Sequence, residues 1–88
     1  MSLEILKKEI LSHKNSIRER EYLLFYQTQP GGYGEGDQFL GIRVPTRREL
    51  AKKHWQNINL QETELLLQSK YHEERMIALF ILTHHFEK

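Results

Sequence analysis

The residues best suited to a chemical role are five cationic side chains that lie close together between positions 42 and 58. That stretch contains a single carboxylate, Glu49, whereas residues 59–75 contain four carboxylates against two cations. A basic segment within a chain of net charge +1 is typical of a surface that binds phosphate groups. A helix face that only contacts water can have the same composition. The five residues are Arg43, Arg47, Arg48, Lys52 and Lys53.

Two further patterns suggest chemistry at first sight, but neither fits a known kind of site. The loop at residues 30–37 has four glycines in six positions, yet it lacks the preceding strand and following Lys-Ser/Thr of a phosphate-binding loop. It predicts a structural connector. The histidines do not have the spacing of a metal site, and the chain has no cysteine, so we expect no metal and no other cofactor. The histidines are His13, His54, His72, His84 and His85.

Apolar spacing predicts two helices before the glycine loop. Hydrophobic residues recur every three or four positions, which places them along one face of a helix. Ser16 and Glu19 have the spacing of a capping box, so we expect a break there and helices over residues 3–13 and 17–27. The segment from Tyr22 to Tyr26 is apolar or aromatic on every side, so we expect it to be buried.

Three more helices are predicted after the loop. A short apolar segment, Phe39–Ile42, is expected to fix the loop to the core before they begin. Each helix start is predicted from a polar residue that can accept a hydrogen bond from a free backbone N–H. The predicted starts are Thr46 with Glu49 after Pro45, Asn59 with Glu62 for a helix through Gln68, and Ser69 for a helix to the chain end.

Five helices without a strand pattern predict an all-α fold. Taken as adjacent pairs, they resemble stacked antiparallel hairpins, the architecture of HEAT-like repeats, so we expect residues 1–88 to form a single α-solenoid segment. No apolar run is long enough to span a membrane, and the start of the chain is unlike a signal peptide. With no cysteine, the chain fits a reducing compartment, and we expect a cytoplasmic protein.

The last predicted helix is hydrophobic on all sides. The seven residues Met76–Leu82 are all apolar and sweep nearly two full turns, so no side is left for water. We expect Leu79, Leu82 and Phe86 to stay uncovered, opposite Ile77 and Ile81. Two explanations remain open: the natural protein continues past Lys88, or a second copy covers this face in a homodimer.

The segment from Gly31 to Pro45 resembles a signature of the AlkD-like DNA alkylation-repair family. The similarity continues through Arg47–Lys53 and His72–Leu79. It spans most of the chain but only the N-terminal part of the family's domain. The resemblance implies a HEAT-like array with a concave basic face that binds double-stranded DNA containing alkylated bases.

Family members are DNA glycosylases that release N3- and N7-alkylated purines, and the resemblance implies that role here. Since the departing base is already cationic, stabilising the sugar cation is the main catalytic task. The family's catalytic aspartate and tryptophans have no counterpart among these residues: the only aspartate, Asp37, is in the glycine loop, and the only tryptophan, Trp55, is on an apolar helix face. We therefore assign no catalytic residue and expect this chain alone to be inactive. Tyr26 corresponds to an aromatic residue on the family's DNA-facing side.

A second function class remains open from the sequence. The apolar last helix would also suit a small helical module that self-associates and has no DNA activity. DNA affinity distinguishes the two classes.

Overall fold

The computed structural model describes residues 2–26, 28, 30–32, 34 and 36–87. These residues form five α-helices, and a 3₁₀ turn, Trp55–Asn57, follows the third of them. The described residues contain no strand, only an isolated parallel bridge between Gln38 and Tyr71. None of the helices described is long and apolar enough to cross a membrane. The all-α prediction is confirmed. The helices are α1 (Ser2–Ser12), α2 (Ser16–Phe25), α3 (Val44–His54), α4 (Leu60–Leu67) and α5 (His72–Phe86).

The core is built around α5, which packs against both α3 and α4, while α1 packs against α3. Ile77, Ala78 and Ile81 of α5 are fully buried. They are buried because their helix has neighbours on two sides, which matches its apolar sequence. This packing is compatible with a helical-repeat arrangement. The other apolar residues of the core cluster are Leu3, Leu6, Ile10, Leu40, Ile42, Leu50, Ala51, Ile58 and Leu66.

One predicted helix cap is confirmed and another is displaced by a residue. The Asn59 side chain accepts from the Glu62 amide at 2.8 Å, and the Glu62 carboxylate accepts from the Asn59 amide at 3.0 Å. The predicted Ser16 cap is wrong, because α2 starts at Ser16 itself and Asn15 accepts from the Arg18 amide at 2.8 Å. A side-chain acceptor one residue earlier thus determines the start of this helix.

The starts of α3 and α5 were also predicted incorrectly. Helix α3 begins at Val44, two residues before Thr46, and Pro45 lies in its first turn, where a missing N–H costs nothing. Helix α5 begins at His72 rather than at Ser69. The Ser69 hydroxyl still accepts from the Tyr71 amide at 3.0 Å, so it orders the approach to the helix without being its cap.

Helix α2 is much more exposed than the sequence predicts. None of its residues is buried, and Leu24 and Phe25 are 77% and 76% exposed. The prediction of a buried segment from Tyr22 to Tyr26 is therefore wrong. The α5 prediction is better matched: Leu79 and Phe86 are exposed and Leu82 is half-buried, opposite the buried Ile77 and Ile81.

The segment Phe39–Ile42 is held by a carboxylate from the start of α5. The side chain of Glu73 is fully buried and accepts three backbone N–H groups, from Leu40 at 2.9 Å, Gly41 at 2.7 Å and Ile42 at 3.2 Å. A buried carboxylate is tolerated only when its oxygens are satisfied in this way. The expectation that this segment fixes the loop to the core is confirmed.

The same segment also holds the turn between α1 and α2. The Asn15 amide donates to the Leu40 carbonyl at 2.9 Å, and Arg18 Nη1 donates to the Gly41 carbonyl at 2.8 Å. Gly41 has a φ of +83°, and a Cβ there would collide with the backbone oxygen of Asn15. A glycine is therefore required where these two chain segments approach each other.

Candidate nucleic-acid interface

The basic residues of α3 and the position before it occupy different environments. Arg47 is buried, only 2% exposed, and its Nε donates to the Ile42 carbonyl at 2.7 Å. Its guanidinium also lies 5.7 Å from the ring centre of Tyr22. These contacts fix the start of α3 to the segment Phe39–Ile42 and leave this guanidinium inside the protein. The structure thus separates Arg47 from the other predicted phosphate-binding residues.

Lys53 is paired with an acidic residue of α1. Its Nζ lies 2.9 Å from one oxygen of Glu9, and His54 Nε2 lies 2.8 Å from the other. Hydrogen bonds from Lys53 and then from His54 lower the pKa of Glu9 below its ordinary value. The partner of Lys53 is therefore Glu9 rather than the nearby Glu49 in its own helix. This pairing links α1 to α3 and partly neutralises the lysine.

Four of the five cations are exposed, and the three of them without a carboxylate partner are Arg43, Arg48 and Lys52. Among the described residues, none forms a hydrogen bond or an ion pair with their side chains. Arg48 and Lys52 lie one turn apart on the same side of α3, which is the spacing of neighbouring side chains on a helix. Arg43 precedes the helix. Two of the three unpaired cations of this segment therefore lie on one side of α3.

Arg48 and Lys52 line a cleft between α3 and the C-terminal half of α5. The cleft has a volume of about 400 Å³, and Phe80, Thr83 and His84 complete its lining. The guanidinium of Arg48 lies 5.3 Å from the ring centre of Phe80, close enough for a cation–π interaction. The sequence was searched for histidines only as metal ligands, so the place of His84 beside the two cations was missed.

Trp55 and the two neighbouring histidines form an aromatic cluster next to the cleft. The Trp55 and His84 rings are stacked, with centres 5.7 Å apart and planes inclined by 14°. His85 meets Trp55 edge-on, and its Nε2 lies 2.8 Å from the Ile58 carbonyl oxygen. Trp55 is half-buried and packs against the core, as expected for a residue on an apolar helix face.

Tyr26 lies in a different place from Arg48 and Lys52. Its ring stacks on Phe39 at 4.8 Å between centres and lies 5.1 Å from His72. A separate surface depression of about 310 Å³ is lined by both Tyr26 and Arg47. The structure therefore brings Tyr26 close to the buried arginine, and its predicted DNA contact stays a prediction.

The carboxylate of Asp37 is bonded to two side chains of α5. Its carboxylate contacts Arg75 Nη2 at 2.6 Å and His72 Nδ1 at 3.2 Å. Partial burial alone would raise the pKa of Asp37, but the hydrogen bond and positive charge of Arg75 outweigh it, so the pKa lies below its ordinary value. Asp37 thus joins the glycine loop to the start of α5. In the described part of the chain, no three histidine or carboxylate side chains are grouped as metal ligands would be.

An all-helical chain with unpaired cations on one helix side fits the class of nucleic-acid-binding helical proteins. A family model described as DNA alkylation repair enzyme matches residues 6–88. The chain belongs to this family, so its role is in DNA repair and its partner is DNA. No curated protein and no solved structure matches the chain.

Proposed function

We propose that this chain is the N-terminal DNA-binding and scaffold segment of a glycosylase-type protein that excises N3- and N7-alkylated purines. In this proposal the helices stack as HEAT-like antiparallel pairs, and the side of α3 that bears Arg48 and Lys52 contacts double-stranded DNA. The observation that supports it most is the pair of exposed cations, which no described carboxylate neutralises. Arg43, which is also exposed and unpaired, precedes the first turn of α3 and could contact a further phosphate.

The chemistry of excision indicates which step this segment performs. A cationic alkylpurine departs readily, so the enzyme must mainly stabilise the sugar cation and hold the duplex in place. Asp37 of the glycine loop and Glu73 at the start of α5 are both held by internal hydrogen bonds. We therefore assign duplex binding to this segment and no part of the excision step to Asp37 or Glu73.

Contacts to phosphate predict a characteristic salt dependence. Each phosphate neutralised by a cation releases counterions, so the logarithm of the binding constant falls by about 0.9 per contact for each tenfold rise in salt. Arg43, Arg48 and Lys52 together predict a slope of roughly −3 by that relation. Duplex DNA of any sequence should give similar affinity, because phosphate contacts contain no base information.

Replacing Arg48 and Lys52 with alanine should reduce the slope to about −1, because two of three phosphate contacts are lost. Fluorescence anisotropy of a labelled duplex across a salt series measures both affinity and slope. The matched control replaces Lys7 and Lys8, two exposed lysines of α1, with alanine. It changes the net charge equally and should leave the slope nearly unchanged. If both double variants behave like the wild type, the side of α3 only contacts water.

Exposed apolar residues on α5 favour a second candidate, a self-associating helical module. Leu79 and Phe86 are 45% and 77% exposed and lie two turns apart on the same side of α5. Two copies could bury this side against each other around a two-fold axis. We propose a homodimer as the form that this candidate requires.

Replacing Leu79 and Phe86 with glutamate should convert such a dimer into a monomer, because buried unpaired carboxylates would oppose association. Sedimentation equilibrium at high micromolar concentration measures the mass. The control replaces Leu60 and Leu65, which are exposed on α4, with glutamate and should remain dimeric. A monomeric wild-type chain eliminates this candidate and leaves the DNA-binding proposal unaffected.

A further inference from the structure

We infer that the cleft between α3 and α5 is a phosphate-binding site in which His84 acts as a proton-dependent third cation beside Arg48 and Lys52. The phosphate is that of a DNA backbone, and in this respect the inference rests on the proposed function. The site itself follows from the cleft and can be tested with inorganic phosphate alone.

The composition of the cleft favours an anionic ligand. Of the five described side chains that line it, two are permanent cations, one is a histidine and none is a carboxylate. Arg48 offers a planar set of N–H donors and Lys52 a mobile ammonium group, which together suit a phosphate better than a flat carboxylate. The Phe80 ring beneath the guanidinium limits where Arg48 can go.

His84 differs from the histidines near it because the described residues leave its ring nitrogens without a hydrogen bond. His54 is bonded to Glu9, and His85 is directed to the Ile58 carbonyl. The stack on Trp55 fixes the plane of the His84 ring while the side chain stays only half-buried. The ring is therefore oriented at the cleft and still available to a ligand.

The groups around His84 determine how pH should act on this site. Arg48 and Lys52 line the same cleft from α3, and their positive charges oppose protonation of the free ring. Trp55 of the 3₁₀ turn stacks on the ring and is uncharged. On α5 itself the titratable neighbours along the chain are His85 and Glu87. A bound phosphate places negative charge beside the ring and favours its protonated form. Phosphate binding is then coupled to uptake of a proton by the ring, so affinity should rise as pH falls.

The size of the effect corresponds to one additional ionic contact. At about 0.1 M salt, one contact contributes a factor of about eight to the binding constant, and it steepens the salt slope by about 0.9. Wild-type protein should therefore bind a labelled duplex several-fold more tightly near pH 6 than near pH 8, with a steeper slope at the lower pH.

Three variants isolate His84. The variant His84→Gln should lose the pH-dependent part of affinity and slope, and His84→Arg should bind tightly at both pH values. The control, His13→Gln, removes an exposed histidine from the end of α1 and should titrate like the wild type. If His84→Gln and the wild type show the same pH dependence of slope, the inference is overturned.

A second measurement uses wild-type protein and no DNA. In a nuclear magnetic resonance titration with inorganic phosphate, the ring protons of His84 should shift more than those of His13. Shifts with phosphate but no duplex binding at either pH would support the site, identify free phosphate as its ligand and contradict the proposed function. If neither phosphate nor DNA moves the His84 resonances, the site is disproved whatever the duplex affinity.

Discussion

Alanine in place of Glu73 is expected to reduce the free energy of unfolding by about 3–5 kcal/mol, because each buried amide left without an acceptor costs about 1–3 kcal/mol. The loss has a specific origin. The amides of Leu40, Gly41 and Ile42 all donate to this carboxylate, and the substitution would leave them buried without acceptors. A domain of this length is stabilised by roughly 4–13 kcal/mol in total. The variant should therefore be partly unfolded at room temperature if the wild type lies near the lower end of that range.

Urea unfolding followed by circular dichroism measures this loss. The conservative variant Glu73→Gln keeps one accepting oxygen and should fall between wild type and alanine. Glu64→Ala is the matched control, since Glu64 is exposed on α4 and its removal should change stability by less than about 0.5 kcal/mol. Equal midpoints for the Glu73 and Glu64 alanine variants would show that water replaces the carboxylate at those amides.

Alanine in place of Gly41 is expected to cost about 2–5 kcal/mol, from two sources. A φ of +83° is strained for any residue with a side chain, at about 1–2 kcal/mol. The new Cβ would also collide with the Asn15 oxygen and lie 2.8 Å from the Glu19 amide nitrogen, which adds an overpacking cost of about 1–3 kcal/mol.

Gly31 is the matched control for this substitution. It has a φ of +88°, but a Cβ there would meet no atom within 4 Å. Gly31→Ala should therefore show the strain cost alone, and the difference between the two unfolding midpoints measures the close approach of the α1–α2 turn. If both variants lose the same free energy of unfolding, the α1–α2 turn can shift away from the new Cβ at little cost.

The sequence predicted the presence of all five helices, but only one of the predicted helix starts rests on the local contacts that the structure shows. The Asn59–Glu62 cap involves residues three positions apart, so its pattern is complete in a short segment. Ser16 had a similar pattern, but Asn15 offers an acceptor one position earlier, and propensity alone does not decide between adjacent caps. The burial of α2 was mispredicted because apolar residues on every side of a helix do not show whether a partner is present.

The phosphate-binding residues were harder to predict, because adjacent residues on a helix point in directions about 100° apart. Composition places Arg47 and Arg48 in one cluster, whereas the fold buries the first and exposes the second. A signal was available: Arg47 lies three and four positions before Leu50 and Ala51, on the buried side of α3. The role of Glu73 could not be found in this way, since its partners lie 31–33 residues away.

The segment Phe39–Ile42, here called the connector, also affects how the chain folds during its synthesis. The turn between α1 and α2 is bonded to this connector through Asn15 and Arg18, and the connector is bonded to Glu73 at the start of α5. A chain synthesised from its N-terminus cannot complete these bonds until α5 begins to emerge from the ribosome. The packing of α1 and α2 against the connector is therefore completed only after α5 has been synthesised. During synthesis, the exposed apolar residues of α2 would be accessible to chaperones throughout that delay.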